Sequence, residues 1–204
     1  MLLTDLQYFG TISYIQQLMQ HEYISFDTIA PFSKMSFKNR TIIATAQGPL
    51  DLSIPVIGGR DQKTPLDQIL IANQGPWKSQ HLKAIQSSYK RAPFFEYYEE
   101  SLIRLFTEEH SHLLSYLLST QEWVKKQLKG TWKSIDIQKI DTATTHKTFQ
   151  AWLPKNYHQI NHPILYQQVF ENKTGFMPNL SIIDLLFCCG GKQASLLLKS
   201  SKAI

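Results

Sequence analysis

The sequence predicts an α/β fold: a single domain over residues 1–204, with a mixed sheet opened by a βαβ unit and a largely helical C-terminal half. Three observations predict it. Short apolar runs flank a helical repeat at the N-terminus. The hydrophobic period changes from strand-like to helical at Gln74-Gly75-Pro76. Apolar residues make up 43% of 204 residues, enough for one core and too many for a disordered chain.

The elements follow in order. Leu2–Leu6 is a short apolar strand, and Phe9–Gln20 places Ile12, Ile15, Leu18 and Met19 on one helical face. Tyr23–Asp27 is strand-like again, which makes a βαβ unit with parallel strands. Residues 37–46 are rich in β-branched side chains, and residues 50–57 alternate. Gln47-Gly48-Pro49 between them is turn chemistry, so the pair reads as an antiparallel hairpin. Leu66–Ala72 is a further strand. Pro76 then opens a helix to about Lys90. Pro93 restarts the chain into Phe94–Phe106, and a third helix runs from about Ser111 to Leu128, stopped by Gly130. Ser134–Ile140 is a weak strand and Pro163–Asn172 a helix. Leu180–Phe187 and Gln193–Leu198 are two helices around Gly190-Gly191.

Composition excludes several classes. The only cysteines are the adjacent Cys188 and Cys189, which cannot staple distant segments, so a reducing compartment is expected. No secretory pattern and no apolar run of membrane-spanning length is visible, and a cytoplasmic protein is the expectation. The formal net charge of +5 is modest for nucleic-acid binding and comes with no nucleic-acid motif. Charge is arranged in blocks: residues 1–33 and 94–122 are acidic, 60–91 and 123–155 basic. No dinucleotide loop, P-loop, GxSxG or HExxH occurs, so neither cofactor nor metal is expected.

Two constellations carry candidate chemistry. Phe32-Ser33-Lys34-Met35-Ser36-Phe37-Lys38-Asn39-Arg40 packs hydroxyls, an amide and three cations between aromatic residues. It follows the βαβ unit, where α/β folds often place ligands. Lys34, Asn39 and Arg40 are candidates to hold a phosphate or carboxylate. Exposed cations on an amphipathic segment are the plainer alternative. Asp27 is the first internal partner to expect for Arg40. His81 is the second candidate. Trp77, His81, Ile85 and Tyr89 step by four along one helix, so His81 falls in the apolar stripe while Lys83 and Lys90 point away. A core histidine and a proton-transfer group are both open. Asn179 to Asp184 has capping-box-like spacing through Ser181 and Asp184. Buried thiols are the expectation for Cys188 and Cys189.

Three blocks also carry a family resemblance. The stretch from Phe32 to Arg40, the stretch Gln74–His81 continuing into Tyr89-Lys90-Arg91-Ala92-Pro93-Phe94-Phe95, and Gly175–Phe187 resemble, in that order, motifs of the WbqC-like family of bacterial proteins. The N-terminal motif departs from it. The family opens with H-Q-P and then Y-x-P-W, whereas this chain has Leu3-Thr4-Asp5-Leu6-Gln7-Tyr8-Phe9-Gly10, where only the tyrosine remains. The family's closing N-x-G-P is here Cys188-Cys189-Gly190-Gly191, and the chain is similar to short members from Bacteroidetes.

The resemblance implies surface-polysaccharide (O-antigen-type) biosynthesis. A transferase moving an acyl or aminoacyl group to an amino sugar is compatible with that setting. Lys34, Asn39 and Arg40 would then hold an anionic ligand such as a nucleotide sugar, His81 would be catalytic, and Trp77 and Tyr89 would line the pocket. The alternative is a non-catalytic protein that binds an anion or a partner through the same cleft. Exposure of His81 separates the two: open favours the enzyme, sealed favours the binder.

Overall fold

The βαβ unit is present as predicted, in a computed structural model that describes residues 1–33, 36–58, 63–135 and 152–200. β1 (Leu2–Thr4) and β2 (Tyr23–Phe26) are parallel neighbours, with Leu2 opposite Ile24 and Thr4 opposite Phe26. Between them α1 (Ile12–Met19) is buried from Ile12 to Leu18, polar residues included, with α6 (Ile182–Ser200) packed against it. The corner after β1 needs two left-handed residues in succession, Phe9 (φ 56°) and Gly10 (φ 66°). Only glycine fits the second position, since a Cβ there would lie 2.7 Å from the Tyr14 ring.

The hairpin is also present. β3 (Arg40–Thr45) and β4 (Gly48–Ser53) are antiparallel, with Arg40 opposite Ser53. One expectation is corrected here: the strands divide between two sheets instead of forming one mixed sheet. The parallel sheet has the order β1-β2-β5, with β5 (Lys133–Ser134) beside β2. The hairpin stands apart because another segment takes its place beside β3. The Ser181 N–H donates to the Ile42 carbonyl at 2.9 Å. On the other side, the Ile12 N–H donates to Leu180 and the Ile182 N–H to Gly10. Leu180–Ile182 is therefore stitched between β3 and the corner after β1, satisfying backbone groups that a sheet strand would otherwise pair.

The C-terminal half is helical: α2 (Trp77–Tyr89), α3 (Phe95–Thr107), α4 (Leu113–Leu128), the short α5 (Glu171–Thr174) and α6 (Ile182–Ser200). Gly190 (φ 74°, ψ 157°) breaks α6, so it is two helical pieces around the glycine pair, as the sequence predicts. α4 ends on a left-handed Lys129 (φ 51°) and not on Gly130. Gly130 is needed for packing, because a Cβ there would fall 2.1 Å from the Trp132 ring. The buried apolar residues form one cluster that reaches from Leu2 to Leu198.

Two further expectations are corrected. Residues 66–72 are not a strand: Leu66–Gln68 is a single 3-10 turn after Pro65, followed by isolated bridges from Leu70 to His112 and Ile71 to Val56. Residues 163–172 are not a helix apart from the start of α5, because Tyr166 and Gln168 both turn toward Asp184. Side chains two apart share a face only in extended chain. Of the expected strand at 134–140, the part beyond Ile135 lies outside the described residues.

The crossing of α4 and α6 gives a test. Gly191 approaches so closely that a Cβ would sit 2.2 Å from the Gln127 carbonyl oxygen, while its N–H donates to the Tyr98 hydroxyl at 2.7 Å. Gly191→Ala is expected to destabilise the protein by about 1–3 kcal/mol, because backbone must move to admit the methyl group. Urea denaturation measures it, and an unchanged midpoint would show that the crossing is looser than described.

Candidate functional site

α2 brings Trp77, His81, Ile85 and Tyr89 to one buried face, as the step of four predicts. His81 is 5% exposed. Its Nδ1 lies 3.1 Å from the Tyr8 hydroxyl, and the Ser53 backbone also hydrogen-bonds the ring. The ring N–H is thus committed to Ser53, and Nδ1 accepts from Tyr8. Aromatic rings enclose the imidazole: Trp77 edge-on at 5.3 Å, Tyr8 at 5.9 Å and Phe106 at 6.4 Å. Trp77 is itself fixed by a bond from its indole N–H to Asn73. Burial lowers the His81 pKa to about 4, against a smaller opposing effect of the Ser53 hydrogen bond. The geometry is that of a sealed, neutral histidine.

The bonds of Asn39 and Arg40 go to partners other than His81. Lys34 lies outside the described residues. Asn39 is buried and donates through Nδ2 to the Ile54 carbonyl at 2.9 Å. Arg40 pairs with Asp51, not Asp27, at 2.8 Å across the hairpin. The pairing follows from register: Asp51 stands opposite Ile42, two residues along β3 from Arg40, a diagonal that a long guanidinium can span. Lys38, adjacent in sequence, is 4% exposed and meets Asp5 at 3.1 Å.

Tyr89 belongs to a second centre, remote from Trp77 along the helix. Its hydroxyl donates to Asp184 Oδ1 at 2.7 Å and accepts from the Ala44 N–H at 2.9 Å. Asp184 is completely buried. Its Oδ2 accepts from the Tyr166 hydroxyl and from Gln168 Nε2. Burial raises the Asp184 pKa, opposed by these three donors. The capping expectation is corrected, since the carboxylate turns into the core and Ser181 Oγ finds no partner. Asn179 instead reaches α1, accepting from the Ser13 N–H at 2.8 Å. Burial, and then the nearby Asp184 charge, raise both thiol pKa values, that of Cys189 to about 11. Both thiols therefore stay protonated and unreactive.

An accessible concavity adjoins this centre through Gln168. It consists of two adjoining lobes that share Arg91, Val169 and Phe170. One lobe, about 470 Å³, is lined by Gln86, Ser87, Lys90 and Glu99. The other, about 400 Å³, is lined by Pro93, Gln167, Asn172, Lys173 and Cys188. Lys90, Arg91 and Lys173 make no ion pair among the described residues. Among the described residues, no group of three or more His, Cys, Asp or Glu is placed to hold a metal. No helix of these residues is long and apolar enough to cross a membrane.

Sequence reasoning missed this cleft. Lys90 and Arg91 sit inside a quoted motif, but Lys90 reads only as the outward side of the helix and Arg91 carries no assignment. Gln168 falls in the segment expected to be helical, and Lys173 lies just beyond it. The available signal was the Tyr166/Gln168 spacing of two. The WbqC-like protein family model matches residues 7–155 and 150–196, most of the chain. Nothing matches among the curated proteins or the solved structures.

Two outcomes are expected. Tyr89→Phe leaves the Ala44 N–H unpaired in the core and removes a donor from Asp184, so it should cost about 1–3 kcal/mol in urea denaturation. A pocket-lining tyrosine would tolerate the change. His81 sets the second outcome. The unfolded chain takes up a proton near the ordinary histidine value of 6.5, and the folded chain at about 4. The stability due to the neutral ring is therefore full above pH 6.5 and declines as pH falls toward about 4. The difference between wild type and His81→Asn in urea midpoint should shrink across that window. A constant difference would show an open, normally titrating imidazole.

Proposed function

The chain belongs to the WbqC-like protein family, and we propose that it binds an anionic ligand of the nucleotide-sugar class in surface-polysaccharide (O-antigen-type) metabolism. The setting comes from the family resemblance. The binding reading is carried by one observation: three cations without ion-pair partners, Lys90, Arg91 and Lys173, line two joined lobes of small-molecule size. A diphosphate lying across the shared Arg91 would meet a planar fork suited to phosphate oxygens, with a lysine on either side. Asn39 and Arg40 are engaged with Ile54 and Asp51, so the anion-holding role passes to these cations.

Acyl or aminoacyl transfer to an amino sugar needs a base within reach of the acceptor amine. His81, the residue expected for that part, is enclosed and weakly basic. This favours the binding reading over the transferase. In this reading Trp77 and Tyr89 act through the core and not on the ligand.

Thermal denaturation with increasing UDP-glucose tests the proposal. The midpoint should rise with the logarithm of ligand concentration, and Arg91→Glu should abolish the rise. No shift at millimolar ligand, or an equal shift in the variant, would remove the cleft from consideration.

A further inference from the structure

The larger lobe is not uniformly cationic. Glu99, on α3, is the sole carboxylate among the described residues lining either lobe. Gln86 Nε2 donates to its Oε1 at 3.0 Å, which fixes the carboxylate against α2. Among the described residues Oε2 has no hydrogen-bond donor, and neither Lys90 nor Arg91 closes onto it. Opposite charges that line one cleft usually collapse into an ion pair when the side chains can meet. Here they stay apart, with the Gln86 amide holding the acid.

The cleft thus offers a carboxylate on α3 and, across it, cations that do not pair with that carboxylate. A purely anionic ligand would use the cations and be repelled by Glu99. A ligand with a phosphate at one end and a protonated amine at the other would satisfy both poles and leave neither charge unpartnered. In a sugar linked to a diphosphate, an amino group on the ring lies several ångström from the phosphorus, so one ligand carries both charges apart from each other. Ser87 and Gln86 leave polar groups for ring hydroxyls beside it.

We infer that the cleft selects an amine-bearing anionic sugar, a nucleotide sugar with a free amino group, and that Glu99 is the residue that reads the amine. The inference rests on the anion-binding reading of the same cleft and adds the specificity. A free amine reaches Oε2 as a charged donor, whereas an acetylated amine brings a neutral donor and added bulk.

Titration of UDP-glucosamine, UDP-N-acetylglucosamine and UDP-glucose into wild type and Glu99→Gln tests it. Wild type should bind UDP-glucosamine at least about tenfold more tightly than the other two, the effect of one charge-assisted hydrogen bond. In Glu99→Gln the ratio of affinities for UDP-glucosamine and UDP-glucose should fall to about one. Glu99→Ala, which removes the Gln86 contact as well, should show the same loss of preference, so a folding defect in one variant does not block the answer. Equal binding of the three ligands by wild type, or a preference that survives in Glu99→Gln, overturns the amine assignment and leaves the anion site standing. Binding of none of them overturns the anion site and the amine assignment with it.

Discussion

One buried carboxylate organises the C-terminal half of the molecule. Asp184 accepts from Tyr89 on α2, and Tyr89 in turn accepts from the Ala44 N–H of β3. It also accepts from Tyr166 and Gln168 in the extended segment before α5, and Gln168 pairs with both backbone groups of Met177. α2 and the segment before α5 meet α6 at these two oxygen atoms, and β3 joins through the Tyr89 hydroxyl. A buried charge or proton with every neighbour satisfied fixes geometry more sharply than apolar contact does, since any slip leaves a donor unpaired. Residues 163–168 stay extended for the same reason.

The cleft inherits its shape from that centre. One wall is the end of α2, just past Tyr89. The facing wall, Gln167 to Phe170, follows and flanks Gln168. Both walls are anchored by side chains that touch Asp184, so the cations of the cleft sit on a braced frame although they are themselves exposed. The Tyr8–His81 pair forms a different kind of support. It joins the corner after β1 to α2 and, through Ser53, to β4, inside a shell of aromatic rings. A motif tyrosine and a motif histidine thus meet in the core, which explains their spacing in sequence without assigning them chemistry.

Local periodicity made much of this readable. The βαβ unit, the hairpin, the three long helices and the shared face of Trp77, His81 and Tyr89 all follow from patterns within a few residues of each other. What stayed hidden depends on distant partners. The choice of Asp51 for Arg40 is a matter of hairpin register, and an arginine beside a serine and an asparagine reads equally well as a ligand holder. The separation into two sheets depends on Leu180–Ile182 reaching the edge of β3, which no window of sequence reveals. Pro163–Asn172 has helical composition, but the pull of a buried acid on Tyr166 and Gln168 overrides it. The cleft was missed because its lysines and arginine look like any solvated helix end until the facing segment is placed.

The stitch between the corner after β1 and the entry to α6 has a consequence for biosynthesis. The first turn of α1 is capped locally by Thr11, but its Ser13 N–H donates to Asn179, 166 positions further on. The Ile12 N–H and the Gly10 carbonyl wait for Leu180 and Ile182. While the chain emerges from the ribosome, α1 and the corner before it therefore lack these partners until residues 179–182 have been made. Before that point the face of α1 that packs on α6 is uncovered. A ribosome that stalls before residue 180 leaves behind a fragment with an exposed helix, suited to capture by chaperones or proteases and not to native assembly.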